Sequence, residues 1–169
     1  MGWGSGKKVV EAARRNGVRT RVVAEGDVIA TGRGIRLEVL APGPDPPRFE
    51  DRSLIDRNNL VVKARVAGVD VLVPGDVDLE SQEALSSLPV AAPVLVAVHH
   101  GSANLDPEFV RAVSPKVTLV TVGADNSYGH PTAKAMELYR REGMVLRNDT
   151  QGTLSLCIDD GEVEVRTAR

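Results

Sequence analysis

The spacing of apolar and polar positions changes period along the chain, and the changes mark its elements. Lys7 to Asn16 carries Val9, Val10, Ala12 and Ala13 as an apolar stripe and is followed by Gly17, which predicts a helix with a glycine stop. Thr20 to Val23 reads as a short strand. From Ile35 to Ala41, Ile35, Leu37, Val39 and Ala41 alternate with Arg36, Glu38 and Leu40, the pattern of a half-buried strand. Pro42 to Pro47 holds four prolines in six residues and predicts an extended loop. Asn59 to Val66 and Val69 to Pro74 follow as two strands joined at Ala67-Gly68.

The middle of the chain then alternates. Leu79 to Leu88 has helical spacing, Val94 to Val98 is an apolar strand, and Asp106-Pro107 opens a helix with Asp106 as cap and Pro107 at its first position. Lys116 to Val122 is a second apolar strand. Pro131 to Arg141 reads as a helix stopped by Gly143, and strands at Met144 to Arg147, Thr153 to Ile158 and Glu162 to Arg166 complete the pattern. Strands apolar on both faces imply a sheet covered by helices, and the hairpins make that sheet mixed. The predicted class is α/β, in one domain.

Composition narrows the classes. With 169 residues, 42% hydrophobic and 26% charged, the chain suits one globular domain. Its longest apolar stretch, Val90 to Val98, is about nine residues, against roughly 20 for a membrane helix. The first eight residues read as a flexible start with no secretory signal. Cys157 is the single cysteine, which excludes an internal disulfide and a multi-cysteine zinc site; it is predicted to lie in a strand core.

Net charge is −2, whereas a domain holding DNA by charge alone is distinctly basic. Between Arg65 and Arg111 there is no Lys or Arg, while Asp70, Asp76, Asp78, Glu80, Glu83, Asp106 and Glu108 fall there with two of the three histidines. Acidic residues mixed with histidine suit a divalent cation; a solvated acidic helix explains the carboxylates alone.

Three polar clusters follow predicted strands at the sheet edge where α/β proteins bind ligands. The first is Pro74-Gly75-Asp76, in which Asp76 either projects as a metal ligand or caps the next helix. The second is His99-His100-Gly101-Ser102. Its imidazoles point to opposite sides of the strand, so one can enter a cleft while the other packs, and Ser102 can donate to a phosphate oxygen. Spacing leaves open which histidine would ligate, or whether the pair is structural. The third runs from Gly123 to Pro131. There Asn126, Ser127 and Tyr128 offer polar groups, and His130 stands at or just outside a helix start, either meeting an anion or capping the turn.

Taken in order, Asn58-Asn59-Leu60-Val61-Val62, Val71-Leu72-Val73-Pro74-Gly75-Asp76, Val98-His99-His100-Gly101-Ser102 and Val122 to Pro131 resemble the C-terminal domain of the ComEC competence family. The resemblance runs from about Val9 to about Leu156. It implies a metallo-β-lactamase-like αββα fold attached to a membrane DNA-uptake channel, tethered outside the cytoplasm. It further implies a metal-dependent nuclease or phosphodiesterase with zinc or manganese bound by Asp76 and by His99 or His100. His130 and Ser102 would contact phosphate, and Asn126, Ser127 and Tyr128 would line the mouth.

That fold opens its site with a His-x-His-x-Asp-His motif, and His99, His100 and His130 are the only histidines here. The expectation is the second half of the domain, weak in metal binding by itself, with an apolar sheet face left for the missing half, the channel or a second copy. Two other readings stand beside it. One is a non-catalytic module in which the basic stretch Lys7 to Arg21 offers DNA contacts; the other is a hydrolase of the same fold acting on a different ester.

Overall fold

A computed structural model describes residues 3–31, 34–45, 58–159 and 161–168, with side chains from residue 8 onward. Helix α1 (Trp3–Arg15) starts four residues ahead of the predicted Lys7. The expectations for residues 1–2 lie outside the described residues. Residues 18–24 form no strand, contrary to the pattern at Thr20 to Val23. Val22 is 96% exposed there, and the edge of the sheet is taken instead by β1 (Val28–Ala30).

Strands β1, β2 (Arg36–Ala41), β3 (Val61–Val66), β4 (Val69–Val73), β5 (Val94–Val96), β6 (Val117–Val120) and β7 (Met144–Arg147) form a seven-stranded mixed sheet in sequence order. The first four pair antiparallel, and β4 through β7 pair parallel. Ala67 and Gly68 both take positive φ, 46° and 85°, between the paired Val66 and Val69. That is the two-residue turn whose twist matches a hairpin. Parallel neighbours need crossovers, supplied by α2 (Leu79–Ser86), α3 (Pro107–Val113) and α4 (Ala133–Glu142). A short helix, α5 (Asn148–Gln151), then leads to the separate hairpin of β8 (Thr153–Asp159) and β9 (Glu162–Ala168).

Alternation along the strands splits the apolar residues between two layers. Leu72, Leu95 and Val120 meet Leu85, Phe109, Val110, Met136 and Tyr139 from the helices in the main core. Burial of a side chain such as Phe109 contributes about 1.5–3 kcal/mol. Val69, Val94 and Leu119 point the other way and meet Leu154, Leu156, Ile158 and Val163 of the hairpin. The second face is thus covered by a second, two-stranded sheet, so the layers run helices, sheet, sheet. The hairpin packs over the parallel side. Leu37, Val62 and Ala64 on the antiparallel side stay half-buried, and Ile29 and Val73 are exposed. Cys157 alternates with Leu156 and Ile158, so it falls on the outer face of the hairpin and is half-buried, not in the core. No described helix is long and apolar enough to cross a membrane.

Candidate functional site

Parallel strands β4 to β7 all end at one edge, and the three polar clusters meet there. Gly75 (φ 66°) turns the chain after β4, with Asn59 against it at 3.2 Å from where a Cβ would stand. The helix that follows is capped by Asp78, whose carboxylate accepts from Ser81 N at 2.8 Å. Asp76 is therefore not the cap, and its carboxylate is left at the strand edge.

Beyond β5, His99, His100 and Gly101 adopt left-handed backbone in succession, with φ of 44°, 57° and 87°. For residues with a Cβ this conformation costs about 1–3 kcal/mol each and persists only where the surroundings fix it. They do so here from every side. His99 N donates to Gly75 O at 3.0 Å, tying this turn to the Asp76 loop, and Ser102 N donates to His99 O at 3.0 Å. Gly101 O accepts from Thr132 N at 2.9 Å and from Thr132 Oγ1 at 3.1 Å. A Cβ on Gly101 would lie 2.6 Å from Pro131 Cβ, so only glycine lets the turn pack there. From α4, Tyr139 Oη accepts from Val98 N at 3.0 Å, and burial pushes that hydroxyl far above its usual range. Gln82 of α2, fully buried, donates to Val77 O and Asn104 O at 3.0 Å and accepts from Asp106 N at 2.9 Å. One amide thus braces both loops from behind.

The outcome is a close approach of Asp76 Oδ1 and His100 Nε2, at 3.7 Å, with 42% and 51% of their side chains exposed. The other ring nitrogen, Nδ1, lies 2.7 Å from Thr121 O. A carbonyl oxygen only accepts, so Nδ1 carries a hydrogen, and in the neutral ring the lone pair of Nε2 faces the carboxylate. Two acceptors facing one another repel unless a proton or a cation lies between them. A carboxylate oxygen and an imidazole nitrogen held by a backbone carbonyl are donors that suit zinc or manganese. They supply two ligands, and among the described residues no three His, Cys, Asp or Glu side chains gather to hold an ion. The residues present fit as part of a ligand set, one short of the three that a catalytic zinc takes from protein.

His99 turns from this pair toward the third cluster, its ring centroid 5.8 Å from that of His130 and 6.3 Å from that of His100. The 123–130 loop is organised by Asn126, whose amide donates to Gly123 O at 3.0 Å and His130 O at 2.8 Å while its Oδ1 accepts from His130 N at 3.2 Å. His130 Nδ1 is buried without a partner in the protein. His130 lies just outside the start of α4 but does not cap it: Thr132 is the cap, accepting from Ala135 N at 3.3 Å, and the cis His130–Pro131 peptide lies ahead of it. Ser127 is exposed and lies off the cleft lining, and Ser102 is nearly buried, its Oγ accepting from Asn104 N at 3.2 Å.

A cleft of about 430 Å³ opens beside the pair, lined by His100, Thr121, Asn126, Tyr128, His130 and Asn148 among others. Thr121 and Asn148 are the members that sequence reasoning missed. Asn148 accepts from Val122 N at 2.7 Å and holds the loop base. Its signal was available, because it directly follows β7 at the strand edge that carries the other clusters.

An α/β protein with a carboxylate–imidazole pair and an open cleft beside it at its parallel-strand ends is the class that fold and site define. No family model matches the chain. It is 34% identical over 153 residues to ComE operon protein 3 of Bacillus subtilis (strain 168), an alignment covering 88% of this chain and 19% of that protein. The chain thus spans about a fifth of the length of the curated relative it matches. A crystal structure from Parabacteroides distasonis ATCC 8503, assigned as a metal-dependent hydrolase, aligns with a TM-score of 0.48 and 13% identity over 81% of this chain and 60% of its own.

Proposed function

We propose that the chain carries the second part of a metallo-β-lactamase-like hydrolase domain of the ComEC competence type, acting on nucleic-acid phosphodiesters. The observation that carries the reading is the 3.7 Å approach of Asp76 Oδ1 to His100 Nε2, on a turn whose strained backbone is braced by Gly75, Thr132 and Tyr139. The similarity to ComE operon protein 3 supports the competence association.

Asp76 and His100 would hold a divalent metal, zinc or manganese, with Thr121 O orienting the imidazole through Nδ1. Such an ion, when bound, polarises a phosphoryl oxygen and lowers the pKa of a bound water to about 7. His130 lines the cleft where the phosphate would lie, and Asn126 keeps its loop in shape. The remaining ligands would come from residues outside this chain, so the isolated chain hydrolyses little. DNA as substrate, the missing half or a channel domain as partner, and a place outside the cytoplasm belong to the same proposal. The half-buried strip on the antiparallel side of the sheet suits a covering partner of that kind.

The test is plasmid cleavage by the complete protein with Mn²⁺ or Zn²⁺. Asp76→Asn is expected to abolish cleavage; persistence of cleavage counts against the role given to Asp76.

A further inference from the structure

Tyr128 stands out among the aromatic side chains described. Phe109 and Tyr139 are fully buried, whereas Tyr128 is 84% exposed and lies on the wall of the cleft. Its ring is nearly parallel to that of His130, at 14° with centroids 6.3 Å apart, within the range of offset stacking. The two rings thus lie in nearly parallel, offset planes, and most of the Tyr128 surface meets solvent. The loop beneath is locked by the three hydrogen bonds of Asn126, so the two-ring stack is formed before any ligand arrives.

The rest of the lining sharpens the point. Thr121, Asn126 and Asn148 are neutral, and no Lys or Arg lines this cleft among the described residues. A strand entering it gains no charge neutralisation from the walls, which is the usual source of affinity for a polyphosphate backbone. Affinity there must come from flat surface, and an exposed ring supplies it to any base.

We infer that Tyr128, backed by His130, is a stacking shelf for a nucleobase of the strand whose phosphodiester enters beside Asp76 and His100. This rests on the phosphodiester reading above, but its test needs no metal. An oligothymidylate and an abasic strand of equal length, which has the same phosphates without bases, are titrated onto the chain in EDTA and followed by fluorescence anisotropy. The oligothymidylate is expected to bind about tenfold more tightly. Tyr128→Phe keeps that preference, and Tyr128→Leu erases it while leaving abasic binding unchanged. Because Tyr128 is exposed, neither substitution threatens folding. Equal binding of both strands, a preference retained in Tyr128→Leu, or no detectable binding of either strand overturns the shelf. Failure of metal-dependent cleavage with the base preference intact would instead overturn only the metal reading.

Discussion

Asp76 and His100 follow the neighbouring parallel strands β4 and β5, and their Oδ1 and Nε2 atoms stand 3.7 Å apart. The relationship is maintained through backbone, by His99 N on Gly75 O and by His100 Nδ1 on Thr121 O. Both links belong to main-chain carbonyls, so the pair is set by the register of three adjacent strand ends.

Gln82 is the brace whose loss should loosen that register. Replacement by Met keeps the volume but leaves Val77 O, Asn104 O and Asp106 N without their partner in a buried place. An unsatisfied buried group costs about 1–3 kcal/mol, so Gln82→Met is expected to lower stability by about 2–4 kcal/mol in urea unfolding. A loss under about 0.5 kcal/mol would mean that the loops hold themselves.

Thr118 presents the opposite case. It is fully buried in β6, and its Oγ1 has no partner in the protein. Thr118→Val removes the unsatisfied hydroxyl at nearly constant shape and is expected to be neutral or to stabilise by about 1 kcal/mol. Thermal unfolding checks it, and a clear drop in Tm would show that the hydroxyl is paired.

Acid sensitivity should trace in part to Asp149, only 11% exposed, which receives Arg147 Nε at 3.0 Å and Nη2 at 2.5 Å. The hydrogen bonds from the guanidinium, and then its charge, hold this carboxyl below its usual value of 3.8. The depressed value means that the pair's stabilisation is complete above the unfolded carboxyl range and fades as pH falls through the folded one. Asp149→Asn is expected to destabilise at pH 7 and to lose part of the wild-type fall in stability below about pH 4. Parallel pH–stability curves for the two proteins would contradict this.

Much of the architecture was legible because period reports burial. The hairpin at Ala67-Gly68, the Asp106 cap and the apolar parallel strands all fall where alternation and turn chemistry put them. Thr20 to Val23 misled, since a β-prone tetrapeptide forms a strand only if a sheet edge is available, and β1 occupies it. Cys157 misled because a strand of the outer hairpin buries only alternate residues. At the site, the cluster positions on the sheet edge could be read, but which histidine faces Asp76 could not. That choice depends on a run of three left-handed residues, which single-residue propensity does not predict even though histidine visits that region more readily than most side chains.

The most direct test of the metal reading follows the ring nitrogens themselves. In ¹⁵N NMR of the histidine side chains during a Zn²⁺ titration, His100 Nε2 is expected to shift while Nδ1 keeps its hydrogen on Thr121 O, and Asp76→Asn is expected to abolish the response. A Zn²⁺ response that leaves His100 Nε2 unmoved, or one that persists unchanged in Asp76→Asn, would contradict the account.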